Sequence, residues 1–242
     1  MRRTTASLAA LAVAAGIALA PAPAPAGAAI VYRFEHVKSR VTRLPSGDEV
    51  HRVRVRTGET ATEGDVVRTG LLARAVLAVP DRAVRFEISS SSQVRLAGPE
   101  PGVILVLESG RLKAAFDAFT GASEERRVAA PGALLAVRGT RYGLEAIPGG
   151  GTVVAVFEGT VELFPADGSP SLRVDRGEFC RVAPGSAPRK GSMERAGMSE
   201  KGWASRGSGL APGVSDGRGA GGPGAAGPQG RRPSGSGGRG GH

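Results

Sequence analysis

The chain has 242 residues and a formal net charge of +10, a balance that suggests a polyanion-binding protein until the charge is located. Residues 29–185 carry 21 Lys+Arg against 19 Asp+Glu, whereas residues 186–242 carry nine basic and three acidic residues and the N-terminal segment adds Arg2 and Arg3. The excess therefore belongs to the two ends, which argues against a fold built for specific nucleic-acid binding, and the single cysteine, Cys180, excludes an intrachain disulfide.

The N-terminus places two arginines before an apolar run from Leu8 to Ala20 and ends in Ala26-Gly27-Ala28. This is the layout of a secretory signal peptide over residues 1–28, with an A-x-A cleavage site. The run is shorter and richer in alanine than a membrane span of about 20 apolar residues. The expected product is an exported chain, periplasmic or extracellular and envelope-associated, without a transmembrane helix after cleavage.

Residues 29–56 read as lead-in strands. In VHRVRVRTG, Arg52, Arg54 and Arg56 alternate with Val53 and Val55, so a strand here presents three guanidinium groups on one face. Such a face either binds an anion or guards an edge strand against unwanted pairing. Residues 57–184 form the expected main domain. Short apolar or alternating segments recur between Gly, Pro, Asp and Ser breaks, at 50–56, 66–69, 73–79, 83–88, 93–96, 103–108, 111–116, 126–130, 134–138, 141–147, 152–158, 160–165, 171–175 and 178–183. No window has an amphipathic helical pattern with caps at both ends. The predicted fold class is all-β: many short strands with glycine-rich turns, in a sandwich-like or irregular β-solenoid arrangement.

A weak internal repeat sharpens this reading. LESGRLKAAF, VFEGTVELF and VDRGEFCRV each set a glycine, Gly110, Gly159 or Gly177, between two apolar segments. Glycine suits a corner there because it accepts positive φ and close backbone approach. VAAPGALLAVRGTRYGLEAI is broken twice, at Pro131-Gly132 and at Gly139-Thr140, and reads as two turns around a buried strand.

Residues 185–242 are rich in Gly, Ser, Pro and Arg and poor in apolar residues. Such composition predicts a disordered basic tail, in which the GRGG-like pieces could make weak contact with polyanions, lipid headgroups or glycans. Trp203 stands there as a lone aromatic, a weak candidate anchor for a partner.

Catalytic sets are missing from the sequence. His36, His51 and His242 have no metal-ligand spacing, and there is no G-x-S-x-G elbow, Walker lysine or H-E-x-x-H. Ser89 to Ser92 read as a polar loop, and Cys180 in GEFCRV as a small buried residue. No enzyme activity, cofactor or metal is expected.

The ordered segments EGDVVRTGLLARAVLAVPDRAVRFEISSSSQVRL, LVLESGRLKAAF, VAAPGALLAVRGTRYGLEAI, TVVAVFEGTVELF and LRVDRGEFCRV resemble a FecR-type domain over residues 57–183. The marks are Gly64-Asp65, Thr69-Gly70, Gly110, Pro131, Gly139-Thr140, Glu158-Gly159 and Gly177. The resemblance implies an all-β, non-enzymatic extracytoplasmic domain. In the best-known members this domain follows a cytoplasmic segment and a membrane helix, and relays the state of a TonB-dependent iron transporter to an extracytoplasmic-function sigma factor. The export signal expected here departs from that plan and fits members exported without a sigma-factor region. The function expected is thus a binding or scaffold module of the cell envelope, with an unknown envelope protein or glycan as partner. The alternative is a FecR-type signal relay.

Overall fold

The computed structural model describes residues 29–117 and 126–206. Residues 1–28, where an export signal is expected, and residues beyond 206 lie outside the described residues.

Alternation of apolar residues along short strands calls for two layers that share one core, and the chain builds them as the two halves of one curled sheet. The first half runs β4 (Thr60–Thr62), β1 (Val31–Lys38), β6 (Arg74–Val79), β7 (Val84–Ile88), the second part of β9 (Val103–Phe116), β12 (Arg141–Ile147), β13 (Gly151–Glu158), β16 (Glu178–Ala183) and β17 (Ser186–Ser192). The second half runs β3 (Val53–Arg54), β2 (Val41–Leu44), β5 (Val66–Thr69), β8 (Gln93–Leu96), the first part of β9, β10 (Arg126–Ala130), β11 (Ala133–Val137), β14 (Thr160–Pro165) and β15 (Leu172–Asp175). Pairing is antiparallel throughout except between β9 and β10, which run parallel. The fold is all-β, as its sequence pattern predicts, with α1 (Glu200–Arg206) as the α-helix of the described residues.

From β6 onward the chain mostly lays down strands in pairs, alternating between the halves: β6–β7 in the first, β8 and the start of β9 in the second, and so on to β16–β17. Tyr32, Phe34, Leu77, Phe86, Leu112, Tyr142 and Val154 from the first half meet Val67, Leu96, Leu105, Leu107, Leu135 and Leu163 from the second in one fully buried cluster. Phe116 joins the layers' aromatic residues, edge-on to Phe86 and stacked on Tyr142, each with ring centroids 5.9 Å apart. Cys180 is buried in the same core, where it packs as an apolar group and burial pushes its thiol up to about 11.

Three sequence expectations change. The segments 103–108 and 111–116 form one 14-residue strand, because Gly110 bends it from one half of the sheet to the other without ending it. Within 50–56 only Val53–Arg54 pairs as a strand. Val55 instead turns inward, 2% exposed, and its N–H donates to the carbonyl of Val41 at 3.0 Å, so the three arginines do not share one regular strand face.

The third change is the largest. Residues 186–206, which composition assigns to the tail, form β17 and α1. Their few apolar residues, Met193, Met198 and Trp203, join Val153, Ala155 and Phe179 in a second buried cluster on the outer face of the first half. Trp203 is fully buried, its Nε1–H donates to the carbonyl of Leu112 at 3.0 Å, and its ring meets Phe157 edge-on at 6.0 Å. Room for the indole comes from Gly143, where a Cβ would lie 2.3 Å from Trp203 Cε2. β13 is consequently buried on both faces, which accounts for its unbroken apolar run TVVAVF.

Trp203→Ala is expected to cost about 3–5 kcal/mol by leaving a cavity over Gly143. Urea unfolding of the variant measures that loss, and a change below about 1 kcal/mol would return Trp203 to the role of a free anchor.

Candidate interaction surface

The residues that the sequence singles out converge on the crossovers between the two halves of the sheet. Along one side of the sandwich, Thr69 accepts the N–H of Ser92 at 2.9 Å through Oγ1 and donates the same hydroxyl to the carbonyl of Ser89 at 2.6 Å. Ser92 Oγ in turn donates to the carbonyl of Arg111 and accepts its N–H, at 3.1 and 2.9 Å. Gly70 N–H donates to the carbonyl of Arg40 at 2.9 Å. Three consecutive crossovers are stitched together by two buried hydroxyls. The Ser89–Ser92 segment, read from the sequence as a polar loop, is part of this seam, with Ser89 and Ser92 buried.

A second seam lies at the other ends of the strands, since β9 and β12 are antiparallel and Gly110 pairs with Ala146 while Ala115 pairs with Arg141. Thr140 is buried and donates Oγ1 to the carbonyls of Arg138 and Thr160 at 3.0 and 2.8 Å. Gly139 has φ +58°, and the carbonyl of Gly139 stands 2.6 Å from where a Cβ of Gly159 would be. Thr160 Oγ1 donates to Asp175 at 2.8 Å, and Gly177 accepts the N–H of Met193 at 2.9 Å through its carbonyl. Pro131 belongs to the β10–β11 turn, where its carbonyl accepts Thr152 Oγ1 at 2.7 Å. Glu158 is exposed and paired with Arg141 at 2.7 Å.

Asp65 is the one buried carboxylate in this set, 2% exposed. Its oxygens accept Arg43 Nη1 at 2.8 Å and the N–H groups of Ser46 and Thr62 at 3.0 and 3.1 Å. Burial alone would raise its pKa, but the Arg43 hydrogen bond and the two backbone N–H groups together hold it below the usual carboxylate range. Gly64 beside it has φ +84° and passes the chain from β4 to β5. This cluster clasps β2, β4 and β5 and turns no reactive group outward.

Much of the sheet's outer surface is covered by paired charges. On the first half, Glu35 pairs with Arg85 at 2.7 Å, Glu87 with Arg74 and Lys113 at 2.9 and 2.8 Å, and Arg141 with Glu158, and α1 covers the rest of the β12–β13–β16 region. On the second half a ladder runs from Glu49 through Arg68, Gln93 and Glu108 to Arg95. Besides the single exposed residues Val31 and Phe164, two clusters of exposed large apolar side chains remain among the described residues. At the β2–β3 edge, Val50 is 84% and Val53 43% exposed beside His51, Arg52, Arg54 and Arg56. At the β5–β6 corner, Leu71 and Leu72 are 82% and 77% exposed. Sequence reading found the arginines at the first place and missed the leucine corner, whose only mark is an adjacent leucine pair after Thr69-Gly70.

His51 lies 2.6 Å from Asp48 at the surface, and among the described residues no group of three or more His, Cys, Asp or Glu side chains could hold a metal ion. No helix among them is long and apolar enough to cross a membrane.

Residues 65–162 match the family model described as FecR protein, so the chain carries a FecR domain. The match takes in every crossover from Asp65 to Glu162, and leaves Gly64, Gly177 and the α1 cap outside it. Two crystal structures of a protein from Parabacteroides distasonis, described as an anti-sigma factor, align at 14% identity with a TM-score of 0.43, over 52% of this chain and 59% of that one. The chain thus spans less than two thirds of that protein's length. No curated protein matches the sequence.

Two substitutions probe the seams. Gly139→Val puts a β-branched residue at φ +58° and is expected to cost about 1–3 kcal/mol, read as a lowered melting temperature. Asp65→Asn is expected to lose about 1–3 kcal/mol at pH 7. Because the carboxyl pKa is lowered on folding, its stabilisation is complete above the unfolded value of about 4 and is lost as pH falls through the folded value. The gap between parent and variant therefore narrows in acid, and a gap independent of pH between 7 and 3 would contradict this role for the carboxylate.

Proposed function

We propose that this chain, as the carrier of a FecR domain, is an exported, non-catalytic regulatory module of the cell envelope that works by binding a partner protein with an acidic face. The observation that carries the reading is the division of the surface. The charges in the ladders above are paired across the sheet, whereas Arg54 and Arg56 at the β2–β3 edge lie in no ion pair among the described residues and stand beside exposed apolar side chains. Unpaired guanidinium groups with exposed Val50 and Val53 preceding them in the chain supply the cationic and apolar contacts of a docking surface.

A binding role also agrees with where the polar chemistry is spent. Thr69, Ser92 and Thr140 have their hydroxyls committed to backbone partners, and Cys180 is buried with a raised pKa. A nucleophile needs an exposed group with a base in reach, and these groups offer neither. The FecR match favours regulation over passive scaffolding, and relay of an envelope signal is the form of regulation that the family resemblance supplies.

A photo-crosslinking residue placed at Val53 in living cells tests the reading. The expected result is one dominant adduct with an envelope protein, weakened about tenfold by Arg54→Glu with Arg56→Glu while the melting temperature is unchanged. No adduct, or an adduct indifferent to the charge reversal, would remove the proposed surface. Fractionation that finds the chain in the cytoplasm with residues 1–28 intact would remove export.

A further inference from the structure

The β5–β6 corner carries an arrangement that neither the fold nor the regulatory reading uses. Chain direction reverses between the sheet halves at Gly70, Leu71, Leu72 and Ala73, closed by Ala73 N–H donating to the carbonyl of Gly70 at 3.1 Å. Leu72 sits at φ +58°, a conformation that costs a residue with a branched side chain and that glycine or asparagine takes more easily. Its side chain recovers nothing by packing, since 77% of it is exposed, and Leu71 before it is 82% exposed. Two large apolar side chains are thus held outward at a strained corner.

Around the leucines the charge is of one sign. The carbonyl of Arg40 accepts the N–H of Gly70 at 2.9 Å, so the β1–β2 turn lies against the leucine corner. Lys38 is the register partner of Arg74, the first residue of β6 after the leucines. Lys38 and Arg40 are exposed. Glu87, the nearest carboxylate in the register, is already shared between Arg74 and Lys113 at 2.9 and 2.8 Å. The adjoining turns carry Ser39, Ser90 and Ser91, with Ser91 N–H donating to the carbonyl of Gly70 at 3.1 Å.

We propose that the Leu71–Leu72 corner docks the protein onto an anionic lipid surface, the two leucines entering the boundary between headgroups and acyl chains and Lys38 and Arg40 meeting lipid phosphates. A paired apolar tip in a collar of cations is the composition that interfacial binding requires: the apolar groups supply insertion, and the cations supply attraction that falls with salt. A protein partner would instead call for a broader complementary face with polar atoms to match. The tip offers two side chains and a basic rim. The inference does not rest on the partner surface at β2–β3, and either can fail alone.

Co-sedimentation of the chain from residue 29 onward, which contains every described strand, with vesicles of phosphatidylglycerol or of phosphatidylcholine provides the test. Binding is expected to the anionic vesicles, weakened by salt, and to fall about tenfold both in Leu71→Ser with Leu72→Ser and in Lys38→Glu with Arg40→Glu. Leu72→Gly is the discriminating variant: it should keep or raise the melting temperature by relieving the strained corner, yet weaken vesicle binding. Unchanged binding in the serine variant overturns the proposal, as does equal binding to both vesicle types. A crosslinker at Leu71 that captures a protein while vesicles are not bound assigns the corner to a protein partner and also overturns it.

Discussion

The structure depends on its crossovers, where backbone must pass backbone with no side chain between. β9 shows the constraint most plainly. At Gly110 it leaves one half of the sheet and enters the other at φ +84°, and a Cβ there would lie 2.3 Å from Ser92 Oγ and 2.6 Å from Ser92 Cα. Because β9 pairs with β8 and β10 before the bend and with β7 and β12 after it, displacement at this glycine would disturb four ladders at once. The opposite seam uses the same device: Gly159 is pressed onto the carbonyl of Gly139, and Thr140 is held between two carbonyls. Glycine permits the approach, and a neighbouring hydroxyl satisfies the carbonyls that the turn would otherwise bury unpaired.

That division of labour explains why residues with the look of active-site chemistry are structural. A buried serine or threonine in a Gly-Thr or Thr-Gly step is a nucleophile candidate only while its hydroxyl is free. Here the hydroxyls of Thr69, Ser92 and Thr140 each donate to a backbone carbonyl, and those of Thr69 and Ser92 also accept a backbone N–H, so they are committed within the fold. Asp65 follows the same logic with a charge: three donors surround it and its lowered pKa records their net effect.

Much of this was legible in the sequence, and the failures have physical causes. Strands β5, β8, β10, β12, β14 and β16 fall where alternation placed them, since each buries one face against the common core. The corner glycines were legible because the repeated Gly between apolar segments has few other uses. What composition could not show was the order of residues 186–206. Disorder is inferred when a segment cannot bury enough surface of its own, but this segment completes a surface that β12, β13 and β16 leave open. The trace of that surface was present in TVVAVF, too apolar for a strand wet on one face, and in Gly143 and Gly191, which leave gaps that Trp203 and Phe179 fill. The exposed leucines escaped for the opposite reason: a two-residue corner has no periodicity to read.

The sealed faces bear on function as much as the open places do. An antiparallel sandwich with exposed sheet edges and apolar outer faces would associate indiscriminately. Here the ladders of paired charge close one face and part of the other, the α1 cap closes the remainder, and β17 ends the first half with Pro188, Arg189 and Lys190 in its sequence. Proline withholds a ladder N–H and the cations resist a further strand, so this edge is blunted. Against that background the β2–β3 edge and the leucine corner stand out as departures, one left with unpaired arginines beside valines and the other holding leucine where glycine would cost less. The two patches on which the proposals rest are neighbours in the fold. Both lie beside β1 and β2: Val37 N–H donates to Thr57 Oγ1 at 3.0 Å next to Arg56, and Arg40 accepts from Gly70 next to Leu71. If both proposals hold, this proximity would let a surface-bound corner present the arginine edge to a partner held at the same surface.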